Sequence, residues 1–79
     1  MSLRLIRLDE VLERTAISRS ELYNRIGDGR FPAPISLGPR LRAWSEQEVD
    51  AMISAMIREA PDDELRALVQ ALLASRKSA

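Results

Sequence analysis

Phe31-Pro32-Ala33-Pro34-Ile35-Ser36-Leu37-Gly38-Pro39-Arg40-Leu41-Arg42-Ala43-Trp44 decides the reading of this chain. Pro32 and Pro34 forbid a helix here, because a proline ring removes an amide donor and clashes with the preceding turn. Gly38-Pro39 supplies a tight turn between two short apolar runs, so the segment reads as a two-stranded hairpin. Arg40 and Arg42 stand two residues apart just beyond that turn, and in a strand this spacing places both guanidinium groups on one face. The hairpin follows directly on a short helix-turn-helix pattern, the place of a wing in a DNA-binding module.

Upstream, Leu8, Val11 and Leu12 recur at helical spacing among Asp9, Glu10, Glu13 and Arg14, which predicts a short amphipathic helix over Leu8 to Thr15, with Leu5 and Ile6 leading into it. Ser18-Arg19-Ser20-Glu21 is an S-x-x-E capping box and starts a second helix, with Leu22 and Ile26 on its buried side and a stop at Gly27-Asp28-Gly29. Only Ala16-Ile17 separates the two helices, a connection short enough for a sharp crossing with Ile17 plugging the corner. Downstream, Ser45-Glu46-Gln47-Glu48 repeats the capping box and opens a helix striped by Val49, Met52, Ile53, Met56 and Ile57. After Ala60-Pro61, Asp62 or Asp63 is expected to cap a last helix with Leu65, Leu68, Val69, Leu72 and Leu73 on its apolar side. The acidic start of that helix and Arg76-Lys77 at its end suit the helix dipole. The fold class is therefore mainly α with a small β-hairpin: a winged helix-turn-helix over residues 1–60 and a C-terminal helical extension over 61–79, for packing or dimerisation.

The chain has 79 residues, enough for one small core. It has no cysteine and no histidine, which removes disulfides, thiolate metal sites and the commonest general acid-base group. An enzyme is therefore not expected, and no cofactor is. No apolar run approaches the roughly 20 residues of a membrane span, and the expected location is the cytoplasm. The formal net charge of zero conceals a division. Residues 1–44 carry eight arginines against five carboxylates, or +3, and residues 45–79 carry four cations against seven carboxylates, or −3. Eleven of the twelve cations are arginine, the side chain that joins phosphate contact to bidentate reading of guanine.

Arg7-Leu8-Asp9-Glu10-Val11, Ser18-Arg19-Ser20-Glu21-Leu22-Tyr23, Gly29-Arg30-Phe31-Pro32-Ala33-Pro34, Leu37-Gly38, Arg40, Trp44 and Glu48-Val49-Asp50 follow in order from Leu5 to about Ile57. Together they resemble the AlpA-type prophage regulators, a branch of the MerR-like and excisionase-like winged-helix proteins. The resemblance covers about two thirds of the chain and implies sequence-specific binding to double-stranded DNA in prophage control, either at a promoter or in excision. Ala16 stands where the family often has glycine, and the stretch from Pro61 onward extends beyond the usual module.

With Leu22 and Ile26 toward the core, Arg19, Ser20, Tyr23 and Asn24 lie on the outer face near the start of the second helix, where a recognition helix enters the major groove. Arg19 suits guanine O6 and N7, Asn24 suits adenine, and Ser20 and Tyr23 suit phosphates or base edges. Arg40 and Arg42 would hold flanking phosphates or enter the minor groove, while Arg25 and Arg30 border the helix end and are weaker candidates. Each has a plain rival. Arg19 and Asn24 would otherwise serve as solvated helix surface, Tyr23 as an edge-packing ring, and Arg40 and Arg42 as edge-strand charge against aggregation. Phe31 and Trp44 are expected in the core, and Glu46, Glu48 and Asp50 as capping or solvated groups. A different class of function stays open, a structural interaction or phage packaging protein using the winged fold as a scaffold. The stripe Leu65, Leu68, Val69 and Leu72 is too apolar to stand free; it either caps the core or pairs with a second copy, and a homodimer through it is expected.

Overall fold

The computed structural model describes residues 2–79. Helix α1 spans Leu8–Thr15 and buries Val11. It ends at Ala16, whose left-handed backbone (φ 61°) lets its amide donate to the Leu12 carbonyl and turns the chain within one residue. Ile17 packs against the core in the corner. Helix α2, Arg19–Gly27, follows immediately, with Leu22 buried and Ile26 packed beside it. Its end is a Schellman turn: the Arg30 amide reaches the Arg25 carbonyl and the Gly29 amide that of Ile26, with Gly29 at φ 84°, where a side chain would be strained.

Both capping boxes are half-formed. Ser18 Oγ accepts from the Glu21 amide at 3.1 Å, and Ser45 Oγ from the Glu48 amide at 3.4 Å. The returning carboxylates are engaged elsewhere, Glu21 with Arg25 and Glu48 with Arg76, because a charged donor outcompetes a single backbone amide.

The wing is part of a larger sheet than expected. Strand β1 is Leu5–Ile6, β2 is Ile35–Gly38 and β3 is Leu41–Ser45, antiparallel in the order β1-β3-β2. Leu5 pairs with Ser45 and Ile6 with Trp44, while Ile35 pairs with Ala43 and Ser36 with Arg42. Two residues carry no period of their own, and their pairing partner lies far along the chain, so nothing local marks Leu5–Ile6 as a strand. The turn also sits one step later than expected: Gly38 pairs with Leu41 after an irregularity at Ser36/Gly38, which leaves Arg40 in the turn and only Arg42 in a strand.

Helix α3, Glu46–Ile57, buries Glu48, Val49, Met52 and Ala55. Ile57, expected in its apolar stripe, is 77% exposed, the small Ala55 taking the inward position instead. Glu59, left-handed at φ 56°, closes α3 with a second Schellman turn through the Ala60 and Glu59 amides. Helix α4, Asp62–Ser75, starts with Pro61 in the capping position; neither Asp62 nor Asp63 caps it as expected, the Asp63 carboxylate accepting only from the next amide. The helix stops before the cations assigned to its end, Arg76 and Lys77 lying in the following 3₁₀ turn.

One core joins all of these pieces. Trp44 and Phe31 are its largest buried side chains, surrounded by Ile6, Val11, Leu22, Val49, Met52, Leu65 and Val69. The Trp44 indole N–H, buried, donates to the Pro32 carbonyl at 3.0 Å, which satisfies its polar atom. Leu65 and Val69 are 4% and 2% exposed within this single chain, and Leu68 and Leu72 are half-buried against it. Two members of the stripe expected to form a dimer are therefore spent on the protein's own core, where each contributes about 2 kcal/mol by removal from water. No helix among the described residues is long and apolar enough to cross a membrane.

Candidate nucleic-acid interface

Helical geometry sorts the outer face of α2. Arg19 and Tyr23 are one turn apart, as are Ser20 and Asn24, so the four form two adjacent rows, all exposed. Leu22, on the opposite side, is fully buried and holds the helix in place. Tyr23 keeps 47% of its surface in solvent. Its ring lines an open cleft of about 510 Å³ together with Arg7, Leu8, Asp9, Arg40, Arg42 and Trp44. The cleft brings the expected wing arginines to the expected helix, even though Arg40 is in the turn and Arg42 in β3.

Arg7 was not anticipated. Ile6 pairs with Trp44 in the sheet, and the next residue, Arg7, stands in extended conformation (φ −88°, ψ 170°) just ahead of α1, without a capping hydrogen bond from its side chain. A cation at the N-terminal, positive end of a helix works against the dipole. That local conflict is the signal by which the sequence marks it, since residues that break a local rule tend to serve the site.

Ion pairing divides the eleven arginines. Arg14 is bound by Glu10 and Glu46, Arg25 by Glu21 at 2.7 Å, Arg30 by Asp28 at 2.8 Å, and Arg76 by Glu48 at 2.7 Å. Arg4 and Arg58 also have carboxylate partners, and Arg66 donates to the Asp28 carbonyl. The hydrogen bonds they donate to these carboxylates hold the guanidinium pKa of Arg14, Arg30 and Arg76 above its ordinary value, and Arg30 holds the Asp28 carboxyl below its own. Arg7, Arg19, Arg40 and Arg42 have no carboxylate within salt-bridge distance among the described residues. Arg25 in α2 and Arg30 just beyond it, the weaker candidates, are thus neutralised, while Arg7, Arg19, Arg40 and Arg42 gather on the start of α1, α2 and the wing. Arg66 and Lys77, in and after α4, also lack a carboxylate partner among the described residues and do not line the cleft. Asp9 is the carboxylate lining the cleft.

A second groove, about 530 Å³, is lined by Leu3, Leu5, Ile35 and Leu72 and reaches the Glu48 and Arg76 pair. Neighbouring residues in a strand point to opposite faces, so Leu5 and Ser45 of this groove lie across the sheet from Ile6 and Trp44. Its apolar lining does not suit a polyanion.

Residues 4–57, from the start of β1 to the end of α3, match the family described as Prophage CP4-57 regulatory protein (AlpA). The chain belongs to the AlpA family of prophage regulatory proteins. All six expected contact residues, Arg19, Ser20, Tyr23, Asn24, Arg40 and Arg42, and the added Arg7, fall inside the AlpA-matched segment, whereas α4 falls outside it. The chain is also 39% identical over 54 residues to "Uncharacterized protein ORF88" of Enterobacteria phage P4. That similarity covers 68% of this chain and 61% of the phage protein, so the chain spans somewhat less than two thirds of that relative's length. No solved structure matches the chain.

Proposed function

We propose that this protein binds specific sites on double-stranded DNA as a prophage-type transcriptional regulator or excisionase-like factor. Helix α2 enters the major groove, where Arg19 reads guanine and Asn24 reads adenine, with Ser20 and Tyr23 on phosphates or base edges. Arg40 and Arg42 reach the flanking backbone or the minor groove, and Arg7 closes the cleft between helix and wing with a further phosphate contact. The observation that carries the reading is the partition of arginines: every arginine on the start of α1, the outer face of α2 and the wing (Arg7, Arg19, Arg40, Arg42) lacks a carboxylate partner among the described residues, whereas Arg25 in α2 and Arg30 just beyond it are paired. Arg66 and Lys77, in and after α4, are also without one but do not line the cleft. A guanidinium kept from internal partners needs no ion pair broken before it meets phosphate, so its full charge serves association.

Selection of bound fragments from a random DNA pool yields the site, and titration of that site tests the mechanism. The logarithm of the binding constant should fall linearly with the logarithm of salt concentration, and Arg19→Ala and Asn24→Ala should each weaken binding to the selected site while leaving general binding in place. A folded Arg19→Ala, Asn24→Ala double variant that binds the selected site as tightly as the parent overturns the assignment.

A further inference from the structure

Phe31-Pro32-Ala33-Pro34, which carries the chain from α2 into β2, has two prolines and hence few amide donors by which anything could hold it. It is held by successive carbonyls instead. The Pro32 carbonyl accepts the buried Trp44 indole N–H at 3.0 Å, and the Ala33 carbonyl accepts from Arg76 Nη2 at 2.7 Å. The same guanidinium meets Glu48 through both of its oxygens, Nε to Oε2 at 2.8 Å and Nη2 to Oε1 at 2.7 Å. Glu48 is 7% exposed and lies in the first turn of α3, directly after β3. Arg76 thus ties the end of the C-terminal helix to both roots of the wing: the segment before β2 and the helix after β3.

We infer that Arg76 is a positioning residue for the wing, a clamp by which the C-terminal helix fixes the angle at which Arg40 and Arg42 are presented beside α2. This use of α4 goes beyond the DNA-binding reading but rests on it for its effect on affinity. The planar fork of arginine is what the arrangement needs, since one group must bond two carboxylate oxygens and a carbonyl at once. Lysine keeps the charge and cannot reproduce the fork. Because Arg76 touches the roots of the wing and not α2, its removal should loosen one part of the interface and leave the other.

Two measurements on the full-length chain test this. Amide hydrogen exchange of the free protein, by NMR, needs no DNA: in Arg76→Ala, amides of β2 and β3 near the turn should exchange roughly tenfold faster than the common acceleration that lower global stability imposes on α1 and α2. The second is a double-mutant cycle on binding to the selected site. Arg76→Ala should weaken binding roughly tenfold, far less than additively with Arg42→Ala and additively with Arg19→Ala. Arg76→Lys, a milder change, carries the same measurements if the alanine variant does not fold. Wing exchange that rises no more than that of α1 and α2 in a folded variant, or additivity with Arg42→Ala, overturns the clamp. If the parent shows no salt-dependent DNA binding, the functional reading fails, and the exchange experiment still decides whether Arg76 holds the wing.

Discussion

Arg42 and Arg76 stand at opposite ends of what an arginine can do in one small domain. Arg42, in β3, has no carboxylate partner among the described residues and lines the cleft beside Tyr23. Arg76 is locked by Glu48 and the Ala33 carbonyl and keeps 26% of its side chain in solvent. The difference extends to the whole chain. Arg14, Arg25, Arg30 and Arg76 are used in assembly, joining α1 to α3, one turn of α2 to the next, α2's exit to α4, and α4 to the wing. Arg7, Arg19, Arg40 and Arg42 are left without a carboxylate at the start of α1, on α2 and on the wing, and Arg66 and Lys77 in and after α4, among the described residues. A net charge of zero therefore coexists with a basic cleft, because the acidic residues of the second half spend much of their charge on arginines away from it.

The division between assembling and presenting arginines can be broken in measurable ways. The largest expected effect is on stability. Arg76→Ala strands the carboxylate of a buried Glu48, and with water able to reach the vacated, partly exposed site the loss should be about 2–3 kcal/mol, read from chemical denaturation. Next comes recognition. Arg19→Ala and Asn24→Ala should each weaken binding to the selected DNA by about 1–3 kcal/mol, with discrimination lost at one base position and the denaturation midpoint unchanged. A smaller and more uniform effect belongs to the cleft: Arg7→Ala and Arg42→Ala should each lower affinity equally for all sequences and reduce the salt slope by about 1. Arg58→Ala serves as the contrast. Its partner Glu64 is on the exposed surface, so both stability and DNA affinity should stay within about 0.5 kcal/mol of the parent. If Arg58→Ala changes the salt slope as much as Arg42→Ala, the division does not hold.

The smallest expected effect is on acid stability. Arg30 holds the Asp28 carboxyl below its ordinary value of 3.8, so the folded state favours the charged form. Its contribution is present above the unfolded pKa and is lost as pH falls through the folded one, below 3.8. Asp28→Asn should flatten the stability profile slightly below that pH and leave DNA binding near neutral pH unaffected.

Much of the fold was legible because its signals are local. Ser18 and Ser45 do accept from the amides three residues on, Gly29 does end α2, and Phe31 and Trp44 do lie in the core. Such features depend on a few adjacent residues. What failed depends on contacts between distant ones: Leu5–Ile6 becomes a strand only because Trp44 and Ser45 lie beside it, and Glu48 is buried only because Arg76 reaches it from 28 residues away. The candidate site divides in the same way. Arg19, Ser20, Tyr23 and Asn24 follow from one helix's period, whereas Arg7 joins them only once β1 is paired.

The sequence by itself determined the helix starts and stops, the prolines that exclude helix before the wing, the apolar positions that form the core, and membership of the AlpA family. Local backbone preference and hydrophobic periodicity are written residue by residue, and they need no partner to be read. Only the tertiary structure decided which charges cancel and which remain. A guanidinium's partner is whatever carboxylate packing brings within a few ångströms, so the same twelve cations and twelve carboxylates make either a neutral surface or a basic face according to how the helices cross. Only the tertiary structure, too, shows where α4 lies: Leu65 and Val69 are buried in the core, and Arg76 just after the helix bonds Glu48 and the Ala33 carbonyl on either side of the hairpin.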